Sequence, residues 1–207
     1  MMAKACLSKI GLAICVAIFI LTGCRSATSP IEFYSLSPLS AMPGAEKTAG
    51  FGAAVAVGVG PLQIPKIIDR PQIVSRTGVN RVNVDEFHRW AGSLYEDFLT
   101  VLTLNLSALL NTNQVAAYPW EDYFDPDYRI YMDVHQFDGR LGEYALLNVT
   151  WTITGRQPSN VLRVRHSVIR ETVPSEGYEA FVAAKSRVLA ALSREMAPEI
   201  MAIQAGN

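Results

Sequence analysis

Apolar residues alternate with polar ones along three long stretches in the second half of the chain. Tyr128, Ile130, Met132 and Val134 oppose Arg129, Tyr131, Asp133 and His135; Ala145, Leu147, Val149, Trp151 and Ile153 oppose Thr150, Thr152 and Thr154; Leu162, Val164, His166 and Val168 oppose Arg163, Arg165 and Ser167. A period of two puts each set on one side of a pleated strand. Together they predict an antiparallel meander with one apolar and one wet face, its first turn starting at Asp138-Gly139-Arg140. Shorter strands are predicted at 31–36, 53–59 and 115–118. The second of these lacks polar alternation, as in a strand covered on both faces, and Gly60-Pro61 should break it. Residues 71–76 and 80–84 read as the arms of a hairpin around Thr77-Gly78, where glycine permits positive φ.

Two stretches repeat at helical spacing instead. Ser93, with Glu96 three positions on, has the spacing of a capping box, and Leu94, Phe98, Leu102, Leu106 and Leu110 follow as a ladder. Leu99, Val101, Leu104 and Leu109 widen that ladder, so this helix must be covered on most of its circumference; 111–113 is its stop. A second helix, about 177–197, carries Tyr178, Phe181, Val182, Val188, Leu189, Leu192 and Met196 on one stripe, with Lys185, Arg187, Arg194 and Glu195 mostly outside it. Pro198 should end or bend it. The fold class is therefore α+β: a mostly antiparallel sheet with two amphipathic helices packed on one face.

Half of the 207 residues are apolar, enough for one core, and 31–203 is taken as a single domain with a Ser-, Pro-, Ala- and Gly-rich flexible connection at about 37–52. The 18 Lys and Arg nearly balance the 19 Asp and Glu. Without a concentrated basic patch, nucleic acid is excluded as a partner. At the N-terminus, Lys4 and Lys9 precede the apolar run 10–21, which suits the core of a signal peptide and is short for a membrane span. Residues 1–23 are read as that signal.

Leu21-Thr22-Gly23-Cys24 resembles the bacterial lipobox, which makes Cys24 the lipid-attachment residue, carrying palmitate-type chains, and 24–30 a lipidated tether. Two or three acyl chains hold a protein on a bilayer as one chain cannot, at about 0.8 kcal/mol per buried methylene. Cys6 and Cys15 lie within the signal, so no disulfide and no cysteine-ligated metal is expected in the mature chain. By resemblance to lipoprotein sorting in enteric-type bacteria, Arg25 in place of an aspartate implies the periplasmic face of the outer membrane.

The wording of one region resembles a known family. Asp69-Arg70-Pro71-Gln72-Ile73-Val74, Asn80-Arg81, Glu86-Phe87, Arg89-Trp90-Ala91 and Leu94 match the auxiliary lipoproteins of ABC-type lipid transport systems, the group that includes paraquat-inducible protein C. Ile67-Ile68 stand where that family has Tyr-Leu, and Gly92-Ser93 where it has Glu-Pro, which exchanges a first-turn proline for a serine cap. The resemblance covers Phe33 to about Ile203. It implies a non-enzymatic, membrane-integrity-associated subunit that docks a transport assembly at the outer membrane through a partner of the mammalian-cell-entry class. A homo-oligomer is compatible with it.

Chemical signatures are sparse. The chain has no G-x-S-x-G, no H-E-x-x-H, no Walker loop, and no cofactor or metal is expected; Pro61 spoils Gly58-Val59-Gly60 as a phosphate loop. Asp85, Glu86 and His88 read as solvated charges where a strand passes to a helix, and His166, on an apolar face, as a core histidine. Asp133 and His135 share a polar face, which leaves an envelope hydrolase as a distant alternative; a lipid or hydrophobe carrier with its own pocket is the nearer one. Trp90 and Trp151 read as core, while Trp120, beside Pro119 in an acidic aromatic loop, is the exposed candidate for partner binding. Arg163 and Arg165 join it, as a basic stripe on the wet sheet face.

Overall fold

The structure is a computed structural model that describes residues 29–42 and 55–206. The predicted signal peptide, Cys24, most of the tether, residues 43–52 of the connection and the first two residues of the strand predicted at 53–59 lie outside the described residues. In chain order the elements are β1 (Glu32–Tyr34), β2 (Val57–Gln63), β3 (Gln72–Arg76), β4 (Val82–Trp90), α1 (Leu94–Leu110), β5 (Val115–Ala117), β6 (Tyr128–Arg140), β7 (Tyr144–Thr154), β8 (Val161–Thr172) and α2 (Tyr178–Ala205). This is the expected α+β fold, but its strands divide into two sheets. Five form a sheet ordered β5-β2-β6-β7-β8, and three form a smaller one ordered β1-β4-β3. The β6-β7-β8 meander is antiparallel as predicted; β2 runs parallel to both β5 and β6, and β1 parallel to β4.

The core lies between the helices and the large sheet. Every member of the β7 row Ala145, Leu147, Val149, Trp151 and Ile153 is at most 1% exposed. α2 packs on β6, β7 and β8, and α1 packs on α2, β2 and β5; Phe98, Leu102 and Leu106 of α1 and Phe181, Val188, Leu189 and Leu192 of α2 join the same core, with Phe98 meeting Phe137 of β6 edge to face at 5.2 Å. The Ser93 hydroxyl accepts the Glu96 N–H, so α1 begins where its cap spacing placed it, and it ends at Asn111 with a left-handed φ of 50°. Asn105 is buried in this helix because its amide is fully used: Oδ1 accepts from the Leu39 N–H and Nδ2 donates to Ser193 Oγ.

Several local expectations give way to tertiary packing. Gly60-Pro61 does not end β2; the strand carries on to Gln63 with a register shift, because Leu62 beyond it is buried and pairs with Met132. Pro198 does not end α2, since Ile200 is fully buried and Ile203 packs on the core, which offsets the lost backbone bond. β6 continues through Asp138-Gly139-Arg140, and the turn falls at Leu141-Gly142-Glu143. Residues 37–42, assigned by composition to the flexible connection, begin as a strap laid over both helices. Its backbone N–H groups at Leu36, Ser37 and Leu39 donate to Asp97, Ser186 and Asn105 respectively.

Candidate functional site

β8 shows how a strand's faces follow from register. Its neighbours across β7 pair Trp151 with Arg165, Val149 with Ser167 and Leu147 with Ile169, so Arg163, Arg165, Ser167 and Ile169 share the helix side of the sheet. The sequence placed Arg163 and Arg165 on the wet face, and that placement is corrected. Arg165 donates from Nε and a terminal nitrogen to Glu199 Oε1 of α2, and Arg163 lies 2.8 Å from Oε2 of the same carboxylate without hydrogen-bond alignment. The two arginines clamp the end of α2 to the sheet's edge strand, yet their side chains keep 36% and 47% exposure. Ser167 is buried, accepting from Trp151 Nε1 and donating to Glu195.

The opposite face of the meander is therefore where Val164, His166 and Val168 lie, all exposed, and the reading of His166 as a core residue is overturned. His135 shares this face with Asp133 by alternation, and a bulge in β6 between Val134 and Gln136 shifts the phase beyond it, returning Phe137 to the core. Thr150 Oγ1 sits 2.9 Å from His135 Nε2 and 3.3 Å from His166 Nδ1, bridging two imidazoles stacked 6.0 Å apart. Asp133 is exposed on this face, its backbone opposite Thr150. Among the described residues no group of three or more His, Cys, Asp or Glu side chains is arranged to hold a metal ion.

Trp120 is half-buried. Its ring lies over Gly58 of β2, where an added Cβ would come within 2.7 Å of it, and it meets Tyr118 and Phe124 edge to face. The loop's fully projecting aromatic is Tyr123, 88% exposed. Nearby, Arg156 donates to Asp127, and this bond, with a second from the Ala56 N–H, holds the Asp127 carboxyl below its usual range.

A cluster that the sequence dissolved into boundary charges forms instead at the join of the small sheet and α2. Asp85 makes a bend inside β4: its Oδ1 accepts the N–H groups of Phe87 and His88 and meets His88 Nδ1 at 2.7 Å, while Oδ2 accepts from the Tyr178 hydroxyl at 3.0 Å. The His88 ring stacks on Tyr178 at 3.9 Å, and Tyr34 and Glu32 of β1 close the group. Burial works against the charge on Asp85, but these hydrogen bonds prevail and hold its carboxyl below the usual range. Burial, the Glu32 hydrogen bond and its charge push the Tyr34 phenol well up. The spacing of Asp85 before two consecutive N–H groups was the available signal; Tyr178 is 93 residues away and gave none.

Lys185 also departs from its predicted place outside the apolar stripe. It is 2% exposed, donates to the Phe137 carbonyl at 2.8 Å, and lies 3.9 Å from the Phe137 ring centre, with Phe181 and Trp90 beyond. Burial pushes its amine down to about 7, against the pull of Asp138. Lys185 thus lies among the buried side chains between helices and sheet. The cavities described are surface grooves: one of about 450 Å³ between Asp127, Arg156 and Asn160, another of about 370 Å³ between the strap and α2. Neither is bounded by Asp133 or His135.

These features define a class: an α+β domain with polar clamps at its seams, open sheet faces, and, among the described residues, no helix long and apolar enough to cross a membrane. The sequence profile of the ABC-type transport auxiliary lipoprotein component family matches residues 34–197, and the chain belongs to that family. Two solved structures have its fold. Protein XCC0632 from Xanthomonas campestris superposes with a TM-score of 0.68 at 16% identity, over 84% of this chain and 97% of its own. A protein described only as uncharacterized gives 0.67 at 19% identity, over 83% and 99%. No protein of curated function matches the sequence.

Proposed function

We propose that the protein is a lipid-anchored periplasmic subunit that docks a mammalian-cell-entry-class ABC lipid transport assembly at the outer membrane, without catalysis of its own. In this reading residues 1–23 are a cleaved signal, Cys24 bears the lipid and 24–30 are the tether. The observation that carries it is the family match, which begins ten residues after the lipobox cysteine and spans the folded domain. The buried, apolar side chains between helices and sheet, with the two described cavities open at the surface, support an adaptor over a carrier that encloses its cargo. Asp133 and His135 on an open sheet face lack the enclosure that strengthens acid–base chemistry.

Docking is assigned to the part-exposed Arg163 and Arg165 at the β8–α2 seam and to the Trp120 loop, from which Tyr123 projects into water. The test is recovery of the transport partner with the acylated protein from membranes. Tyr123→Ala in the Trp120 loop should reduce recovery at an unchanged thermal midpoint, and charge reversal at both arginines or Trp120→Ala should reduce recovery with a lowered midpoint, because the Glu199 clamp or the packing on Gly58 is lost with it, whereas His135→Ala and Asp133→Ala should leave cells as resistant to detergent as wild type. Loss of resistance in the last two, with folding and recovery intact, would replace the adaptor with an enzyme. Co-purifying lipid would favour the carrier.

A further inference from the structure

The small sheet carries apolar side chains in water along its β1 edge. In β1 the polar side chains Glu32 and Tyr34 turn toward His88, and Tyr34 lies 6.4 Å from Tyr178 of α2. Strand alternation then sends Ile31 and Phe33 the other way, 46% and 64% exposed. β4 runs parallel in register, Glu32 beside His88 and Phe33 beside Arg89, so the position before each pair sets Phe87, 40% exposed, next to Ile31. Glu32 is exposed as well, its side chain at 58%, so what distinguishes this edge is the row of apolar side chains standing in water on the face away from α2. The one cation in the row, Arg89, is held by Glu86, which leaves a nearly neutral apolar patch.

We propose that this face of the three-stranded sheet, centred on Ile31, Phe33 and Phe87, rests on the lipid surface to which the chain is anchored. The inference rests on Cys24 bearing the lipid. From Cys24 the chain reaches Ile31 in seven residues, little more than about 20 Å at full extension, so the first folded side chains cannot stand far from the headgroups. Ile31 and Phe33 are those first side chains. Phenyl and branched aliphatic groups displaced from water into the acyl boundary add a second attachment to the covalent one, and the contact would also orient the domain. The docking seam on β8 and α2 belongs to the other sheet and stays free for a partner.

The experiment uses acylated full-length protein reconstituted in vesicles of phosphatidylethanolamine and phosphatidylglycerol. Phe33→Cys, Phe87→Cys and, as reference, Val164→Cys are each labelled with an environment-sensitive fluorophore, and spin-labelled lipid serves as quencher. The expected result is a blue-shifted emission and several-fold stronger quenching at positions 33 and 87 than at 164, each variant keeping its thermal midpoint. Aqueous emission at all three positions on protein that still floats with the vesicles overturns the proposal and leaves the anchor in place. Failure to float overturns the anchor and the proposal together. A blue shift at 33 and 87 that persists in detergent and grows with protein concentration assigns the patch to a second copy and overturns the lipid surface.

Discussion

In the five-stranded sheet the side chains facing the helices are apolar almost without interruption, from Ile130 and Met132 on β6 across the whole β7 row, and polar groups appear there only where an edge must be closed, as with Arg163, Arg165 and Glu199. In the three-stranded sheet the groups gathered around Tyr178 of α2 are Glu32, Tyr34, Asp85 and His88, joined to it by hydrogen bonds and ring stacking; Ile73, Val74 and Trp90 enter the core, while Ile31, Phe33 and Phe87 face outward. The large sheet gains its stability from area removed from water, which is non-directional. The small sheet buries only Ile73, Val74 and Trp90 in this way and adds a few directional contacts across one helix end, which position more than they stabilise. The residues that carry the family resemblance fall mostly in the second region. Glu86 and Arg89 pair with each other, Gln72 binds Glu86, and Trp90 is buried beside Lys185, so these matched side chains are employed in building the small sheet.

The contrast can be broken most forcefully in the large sheet. Trp151→Ala removes a ring that is 1% exposed and leaves Ser167 without its donor; a loss of about 3–5 kcal/mol is expected, read as a fall in chemical-denaturation midpoint. A wild-type midpoint would mean that the β7 row does not face the helices.

Lys185→Met examines the junction of the two regions. Below about pH 7 the amine is charged in both folded and unfolded chains, and the cost of burying that charge is fully present. Between about 7 and 10.5 the unfolded chain holds a proton that the folded one has released, so wild-type stability should rise relative to the variant through that window. The variant should be more stable than wild type below pH 7, by roughly 1–4 kcal/mol as when other buried charges are replaced by apolar groups. A difference that does not change with pH would contradict a depressed amine.

In the small sheet, Asp85→Ala deprives two backbone N–H groups and the Tyr178 hydroxyl of their acceptor, with an expected cost of about 2 kcal/mol. The Asp85 carboxyl titrates lower in the folded chain than in the unfolded one. Its contribution is therefore present above the ordinary value of 3.8 and lost as pH falls through the lower folded value. Acid titration of wild type and variant should converge there. Hydrogen exchange at Phe87 and His88 should speed up while the β7 amides stay protected; uniform acceleration would mean that the two sheets do not behave as separate regions. The smallest effect is expected at Val168→Thr on the open face, within about 0.5 kcal/mol, because the side chain is 59% exposed and already in water.

Much of this architecture was legible in the chain. The alternation of 128–134 and 145–153 gave the buried faces of β6 and β7, and Ser93 with Glu96 gave the start of α1, because periodicity and caps are local properties that packing here reinforces. Ambiguity entered wherever a strand offered apolar residues on both sides. β8 has Leu162, Val164 and Val168 in one row and Ile169 in the other; only its pairing with β7 selects a face, and a shift of one residue reverses every side chain. That choice moved Arg163 and Arg165 to the helix side and His166 to solvent. The bulge at His135 is similar, an extra residue visible only against a partner strand. Lys185 lay beyond sequence reasoning for a different reason: a lysine reads as surface until a carbonyl and surrounding rings take its amine, and here those come from Phe137, Phe181 and Trp90. What the sequence determined by itself was the kind of each element and its family. What only the tertiary structure decided was which side of each edge strand meets water, since that depends on contacts between residues as far apart as Asp85 and Tyr178, which no local pattern encodes.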